Sequence, residues 1–133
     1  MSVPKSKKII YQLLPRLFGQ APKSNVLMGD IHQNACGKLS DITVSVLQDI
    51  KAFGVTHLWL TGLINHACST DYLTIGVPAS HPALLKGKAG SPYAIRDYYD
   101  IHPDLASDPA SRMPEFGELT DRILAADLGL IID

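Results

Sequence analysis

Residues 93–101 hold the densest group of side chains that could do chemistry: three tyrosines, two carboxylates and one arginine within nine positions. Aromatic rings beside polar groups suit a pyranose, whose C–H face is apolar and whose rim forms hydrogen bonds, and they also suit stacked nucleobases. The structural alternative is that the tyrosines pack a loop onto its neighbours while an Arg–Asp pair holds that loop in place. The segment alone leaves both interpretations open.

The other reactive residues form no established motif. The sequence has no GxGxxG after a strand, no GxxxxGK[ST] and no HExxH. Residues 86–90 (KGKAG) are glycine-rich but precede no predicted helix, which favours a flexible, solvated tip. Cys36 and Cys68 form no CxxC or Cys/His pattern and are predicted to be free thiols in loops. Four histidines lack metal-ligand spacing, one in a predicted strand and three in predicted loops: His57, His66, His81 and His102.

Composition indicates a globular chain of 133 residues, with 46% hydrophobic and 19% charged residues and a formal net charge of −1. These values argue against a disordered chain and against a strongly basic nucleic-acid binder. No run of 18 apolar residues occurs, so no membrane span is predicted. The apolar run 9–14 is too short for a signal-peptide core. We therefore expect a cytoplasmic protein with no nucleic-acid or membrane partner.

Hydrophobic patterning predicts alternating strands and helices. Strands are expected at 9–14, 55–61 and 130–132, and helices at about 41–53 and from Ser111 or Pro114 to Gly129. Ser40 or Asp41 is the expected N-cap of the first helix, and Gly54 its C-terminal stop. Residues 19–38 and 62–112 are predicted as loops. Strands with apolar residues on both faces favour a parallel sheet.

The two long loops both follow strands, so they leave from the carboxyl edge of that sheet, where α/β proteins bind ligands. The connections that return to the strands are tight by comparison. This asymmetry is typical of the active face of a (β/α) barrel. An open sheet with a binding platform would show the same pattern.

At this point the sequence resembles the alpha-amylase family of glycoside hydrolases in four segments, in order and with their spacing kept. Residues 9–18 (IIYQLLPRLF) resemble the family's opening strand IYQIxPRxF, and residues 53–60 (FGVTHLWL) resemble LGVxxxWL. Residues 93–99 (YAIRDYY) are similar to GYxxxDYY, and residues 116–133 are similar to FxxLVxxAHxxGLxVILD. The resemblance implies that residues 9–133 are the N-terminal, truncated part of a catalytic (β/α)8 TIM barrel, after a lead-in at 1–8.

The resemblance also implies roles for single residues. Tyr93 corresponds to the tyrosine that stacks on the sugar next to the cleaved bond, and Asp133 to the first residue of the DxxxNH substrate-binding region. Asp97 and Tyr98 belong to the ordered segment beside the site. The catalytic carboxylates of the family lie on later strands, so no catalytic residue is assigned here. The fragment alone is therefore expected to be inactive.

Two departures from the family pattern bear on ligands. The calcium loop that many relatives carry as DxNxDGxGD reads NACGKLSD at 34–41, so no calcium ligand set is evident, and no cofactor is predicted for this chain. Gly90 occupies the position where exo-acting glucosidases often have Asp, which argues against simple α-glucosidase specificity.

The sequence therefore predicts an α/β fold, a partial barrel ordered strand, helix, strand, long loop, helix, strand. The expected partner is an α-glucan, cleaved or transferred at α-glucosidic bonds by the full-length parent. The alternatives are a non-catalytic carbohydrate-binding or interaction module and an unrelated open α/β binding domain. We also expect self-association through open sheet edges and through an uncovered barrel-side face carrying Leu13, Leu58, Leu60 and, in part, Ile131.

Overall fold

Three short parallel strands form the central sheet of this computed structural model, which describes residues 6–19 and 25–133. Strand β1 (Ile10–Leu13) pairs with β2 (His57–Leu60), and β2 pairs with β5 (Gly129–Ile132). The order β1-β2-β5 leaves β1 and β5 as edges among the described residues. The three predicted strands and their parallel pairing are confirmed. The lead-in is exposed at residues 6–8, while residues 1–5 of it, and residues 20–24 of the first loop, lie outside the described part.

Two amphipathic helices pack on one side of this sheet. The long helix between β1 and β2, α2 (Val44–Ala52), begins later than predicted. Its N-cap is Thr43, whose Oγ1 accepts a hydrogen bond from the Val46 N–H. Ser40 and Asp41, the predicted caps, lie in the 3-10 turn Leu39–Asp41 instead. The helix ends at Ala52 with Phe53 as its C-cap, and Gly54 follows with a φ of 85°, which confirms its predicted role as the residue after the helix.

The second long helix, α3 (Arg112–Ala125), buries Leu119 and Ile123. It does not end at Gly129 as predicted. The chain turns at Asp127, which takes a positive φ of 56°, and Gly129 is already part of β5. Glycine is required there because a Cβ at position 129 would lie 2.4 Å from Cδ2 of His57 on the neighbouring strand.

The largest correction concerns residues 62–112, which are not a structureless loop. They contain an antiparallel pair, β3 (Ile64–Ala67) and β4 (Ser91–Ile101), with register shifts between each successive pair of residues. Residues 93–101 are therefore strand rather than loop. The strand at 91–101 was not predicted because its tyrosines and charged residues do not follow the apolar/polar alternation that usually indicates a strand. In the first loop, a single helical turn, α1 (Ile31–Asn34), is capped by the Asp30 carboxylate.

The faces of the parallel sheet are also assigned differently from the prediction. Leu13, Leu58 and Leu60 are buried against the helices, in one core with Leu47 of α2 and Leu119 of α3. The opposite face carries the other register positions, which are partly exposed: Ile10, Gln12, His57, Trp59 and Ile131. The expectation of an uncovered sheet face thus applies to these residues, and only Ile131 of the original set belongs to it.

Candidate functional site

The carboxyl ends of the three parallel strands define the edge where a ligand site is expected. The strands end at Leu13, Leu60 and Ile132, and Asp133 directly follows the last of them. Gln12 and Thr61 tie two of these ends together, since the Gln12 amide donates to Thr61 Oγ1 at 2.7 Å. Asp133 is exposed at this edge.

The start of β4 lies over the same edge. A Cβ added at Gly62 would lie 3.0 Å from Leu14 Cδ1 and 3.3 Å from Pro92 Cβ, so Pro92 packs where the first two strands end. Tyr93 follows Pro92 in the chain, and its side chain is 74% exposed. The hairpin backbone therefore reaches the carboxyl edge of the sheet at Pro92, and the aromatic ring of the next residue is accessible.

Backbone anchors hold the turn that precedes Tyr93. Arg16 Nη1 donates to the carbonyl of Ala89 at 2.9 Å, across 73 positions of sequence. Ser69 Oγ donates to the carbonyl of Lys88 at 2.6 Å, and Ser91 Oγ accepts from the backbone N–H of Lys86. Residues 86–91 are thus a braced turn, where the sequence predicted a flexible tip. A braced turn fixes the position of the tyrosine while its ring stays free to contact a ligand.

Gly90 explains one departure from the alpha-amylase pattern. Its φ is 119°, and a Cβ there would lie 3.0 Å from Nε2 of the buried His66 ring and 3.2 Å from the Ala67 carbonyl. An aspartate at position 90 would meet both strain and the imidazole. The buried His66 ring therefore occupies the space that an aspartate side chain at position 90 would need.

The remaining predicted site residues lie on the same hairpin. Asp97 is exposed, and its Oδ1 accepts from the backbone N–H of Tyr99 at 2.9 Å. Tyr98 is exposed as well. No hydrogen bond in the described part of the chain joins Tyr93, Asp97 or Tyr98 to Asp133. Their roles toward a ligand stay predictions.

A second polar group lies on the hairpin. The sequence singled out its members Arg96 and Asp100, but it did not predict their partners Asn65 and Arg112. Arg96 donates twice to Asn65 Oδ1 and also to the Pro78 carbonyl, while Arg112 Nε donates to Asp100 Oδ1 at 2.6 Å. Burial alone would raise the pKa of Asp100, but hydrogen bonds from Arg112 and Asn65 hold it below its ordinary value. Arg112 and Asp100 form an ion pair, whereas Arg96 donates to neutral acceptors, and the group lines an open cleft of about 670 Å³.

A buried cluster around Asp104 joins the two long loops. The Asp104 carboxylate, 1% exposed, accepts from Tyr72, Thr70 and His102, and its backbone carbonyl accepts from Lys38 Nζ at 2.7 Å. Burial would raise the pKa of this carboxyl, yet the hydrogen bonds from His102, Tyr72 and Thr70 keep it lowered. We call Asp104, His102, Tyr72, Thr70 and the adjacent His66 the Asp104 cluster.

His66 stacks on His102 with ring centroids 3.6 Å apart. Burial, followed by the neighbouring His102, lowers the pKa of His66 to about 4. Its Nδ1 contacts the Ile64 carbonyl, whereas its buried Nε2 has no partner within the described residues. Both histidines were predicted in loops, and neither was expected to be buried.

The cysteines are free, as predicted, but both are buried. Burial, and then Asp104, raises the pKa of Cys36 to about 11 and also raises that of Cys68. Cys68, His102 and Asp104 bring potential metal-ligand atoms within 4.8 Å of one another, the one such group among the described residues. Its carboxylate already accepts three hydrogen bonds, so the arrangement serves as a hydrogen-bond hub. No spacing rule could find it, because the hairpin brings the residues together.

Residues 34–41, at the position of the relatives' calcium loop, do not fit a calcium site. The Asn34 amide is bonded to the backbone of Val26 in both directions. Asp41, the only carboxylate in the segment, accepts from the Lys38 N–H through Oδ2 at 2.7 Å. The oxygens that a hard cation would need are absent or already engaged.

Comparison with known proteins gives a likeness of fold. No family model and no curated protein matches the sequence. Among solved structures, the chain is similar to a noncanonic maltogenic alpha-amylase, AmyB from Thermotoga neapolitana, with a TM-score of 0.55 and 23% identity. The match covers 95% of this chain and 22% of that one. No helix in the described residues has the length and apolarity to cross a membrane. The chain is thus a mixed α/β unit with a parallel sheet, folded like part of an amylase.

Proposed function

We propose that this chain is the N-terminal part of an alpha-amylase-type (β/α)8 barrel, and that the protein containing it acts on α-glucosidic bonds of α-glucans. The observation that carries the proposal is the braced turn, which is followed by Pro92 at the carboxyl edge of a parallel sheet and by the exposed Tyr93 next to it. The likeness of 95% of the chain to part of a maltogenic alpha-amylase supports it. The reaction class is retaining hydrolysis or transglycosylation.

In this proposal the chain binds substrate rather than cleaving it. The ring of Tyr93 stacks on the apolar face of a glucosyl unit, and the carboxylate of Asp133 accepts hydrogen bonds from sugar hydroxyls. Asp97 orders the strand beside them through its bond to the Tyr99 N–H. Retaining cleavage needs two carboxyl groups about 5–5.5 Å apart. In the alpha-amylase family those groups come from later strands, so the chain by itself binds without turnover.

A non-catalytic carbohydrate-binding module is the second candidate. The exposure of Tyr98 and Tyr99 on the same strand favours it, because several accessible rings can bind a glucan without any catalytic group. Both candidates need Tyr93 to contact sugar. They differ in whether bonds are broken once the protein carries a complete barrel.

The test is calorimetric titration of the chain with a maltooligosaccharide, and with a cello-oligosaccharide as the linkage control. We expect saturable binding of the α-linked ligand, weakened about 2- to 10-fold by Tyr93→Ala, in line with ~0.5–1.5 kcal/mol for a stacked ring. Phe53→Ala is the matched control, since Phe53 is an exposed aromatic residue beside Gly54, at the opposite edge of the sheet. Equal binding of both oligosaccharides, or equal loss in both variants, would contradict the proposal. Hydrolysis by the protein with a complete barrel separates the enzyme from the module.

A further inference from the structure

The braced turn borders a cavity that the glucan proposal does not use. This cavity, about 260 Å³, lies between the turn and the first long loop. Three cationic residues, Arg16, Lys86 and Lys88, line it together with Asn34 and glycines of both segments. No aspartate or glutamate lines it within the described part of the chain. In a protein of net charge −1, three cations without a carboxylate are a local excess of positive charge.

The cations retain unused hydrogen-bonding capacity. Arg16 Nη1 donates a hydrogen bond to the Ala89 carbonyl, but the Arg16 Nε is buried and has no partner among the described residues. Lys86 and Lys88 are exposed, and their amino groups form no hydrogen bond or ion pair with the described residues, so they can meet an anion from solution. Like charges gathered without a counter-charge repel one another, and a bound anion relieves this repulsion. Ammonium and guanidinium groups form their strongest hydrogen bonds with such anions.

The volume of the cavity and the glycine backbone of the turn both favour a small oxyanion as the ligand. The cavity is below the ~300–1,000 Å³ typical of drug-sized ligands, which suits a single anionic group. Gly87 and Gly90 add no side chain to the turn, so an anion can approach the backbone closely. A phosphate offers several acceptor oxygens at once, which matches three separate donors.

The cavity adjoins the tyrosine. Lys86 and Gly90, which line it, also line a shallow pocket with Pro92 and Tyr93. We propose that the Arg16–Lys86–Lys88 cavity binds a phosphate group, either free or carried by a glucosyl unit that stacks on Tyr93. The proposal of a phosphate site depends only on the three cationic residues, whereas the proposal that the phosphate is carried by a glucosyl unit rests on the proposed function.

The experiment is titration of the chain at low ionic strength with inorganic phosphate and, separately, with glucose 1-phosphate and glucose. We expect saturable phosphate binding that weakens about tenfold in Lys86→Gln and in Lys88→Gln, because each variant removes one charged donor. Lys8→Gln makes the same change of net charge at an exposed residue away from the cavity and is expected to leave affinity within about twofold. Tyr93→Ala should leave inorganic phosphate binding unchanged and weaken glucose 1-phosphate.

Two results would overturn the site: no saturable phosphate binding at low salt, or an equal loss in Lys8→Gln and Lys88→Gln. Glucose 1-phosphate that binds no tighter than inorganic phosphate would overturn the glucosyl part and assign the cavity to free phosphate. Failure of the glucan proposal is seen separately, as absent binding of neutral maltooligosaccharide with phosphate binding intact.

Discussion

The two faces of the parallel sheet differ in how far this chain covers them. Leu58 and Leu60 point to the helices and are 0% exposed, whereas Ile10 on the opposite face is 53% exposed. On that opposite face Trp59 keeps a buried indole N–H without a partner among the described residues. The helices bury the centre of one face, whereas the other face carries an exposed apolar residue and an unpaired polar group within the described residues. The described residues therefore cover the two faces of the sheet unequally, an arrangement that the proposed barrel segment would explain.

The largest expected effect is on the packed face. Leu60→Ala should lower the free energy of unfolding by about 2–5 kcal/mol, because it removes a fully buried side chain and leaves a cavity. Ile10→Ala is the matched change on the open face and should cost about 1 kcal/mol or less. Urea unfolding followed by circular dichroism measures both. A similar loss of unfolding free energy in the two variants would show that the face carrying Ile10 is also covered, and would contradict the difference between the two faces.

A second effect comes from the Asp104 cluster. Because the pKa of His66 is lowered to about 4, the unfolded chain takes up a proton at this residue below about pH 6.5 while the folded chain does not. Stability should fall by up to about 3 kcal/mol between pH 6.5 and 4. The loss from Asp104, whose folded pKa is lowered, follows only at still lower pH.

The measurement is the urea midpoint as a function of pH. His66→Gln should flatten its slope between pH 6.5 and 4, and His32→Gln, the same substitution at an exposed position, is the matched control. An unchanged slope in His66→Gln would show that this histidine titrates normally in the folded chain.

The open face should also govern association. With the outer edges of β1 and β5 unpaired in the described chain and Ile10 exposed, we expect the isolated chain to self-associate and to bind a hydrophobic dye. Ile10→Lys should shift sedimentation toward the monomer, whereas Leu124→Lys, at an exposed residue of α3, should not. A monomeric wild-type chain that melts cooperatively and binds no dye would mean that the sheet needs no further cover.

The smallest effect is expected at the ligand edge. In a protein that carries this segment within a complete barrel, Tyr93→Ala should lower kcat/KM about 2- to 10-fold with the fold intact, since the ring is exposed and stacking adds ~0.5–1.5 kcal/mol. Steady-state kinetics on a maltooligosaccharide test this, and unchanged kinetics would leave Tyr93 only a packing role.

Sequence patterning located the three parallel strands and both long helices because their apolar residues repeat with the period of each element. It predicted Tyr93 at the carboxyl edge because loops after parallel strands emerge together, and the role of Tyr93 toward a ligand stays a prediction. It missed the hairpin, whose tyrosine-rich strand lacks clean alternation and whose register shifts at every step. It also missed the Asp104 cluster and the cation-lined cavity, since Tyr72 and Thr70 reach Asp104 across 32 and 34 positions and Arg16 reaches Ala89 across 73. Such contacts depend on the folded topology and leave no local spacing signal.

The most direct test of the account maps where a maltooligosaccharide contacts the isotope-labelled chain by NMR. We predict that the largest amide shift changes fall at the carboxyl edge, around Leu14, Gly62, residues 90–93 and Asp133, with the amino-terminal ends near Gly54 and Asp127 unaffected. Shift changes confined to the amino-terminal ends, or none at saturating ligand, would contradict the assignment of this edge as the α-glucan site.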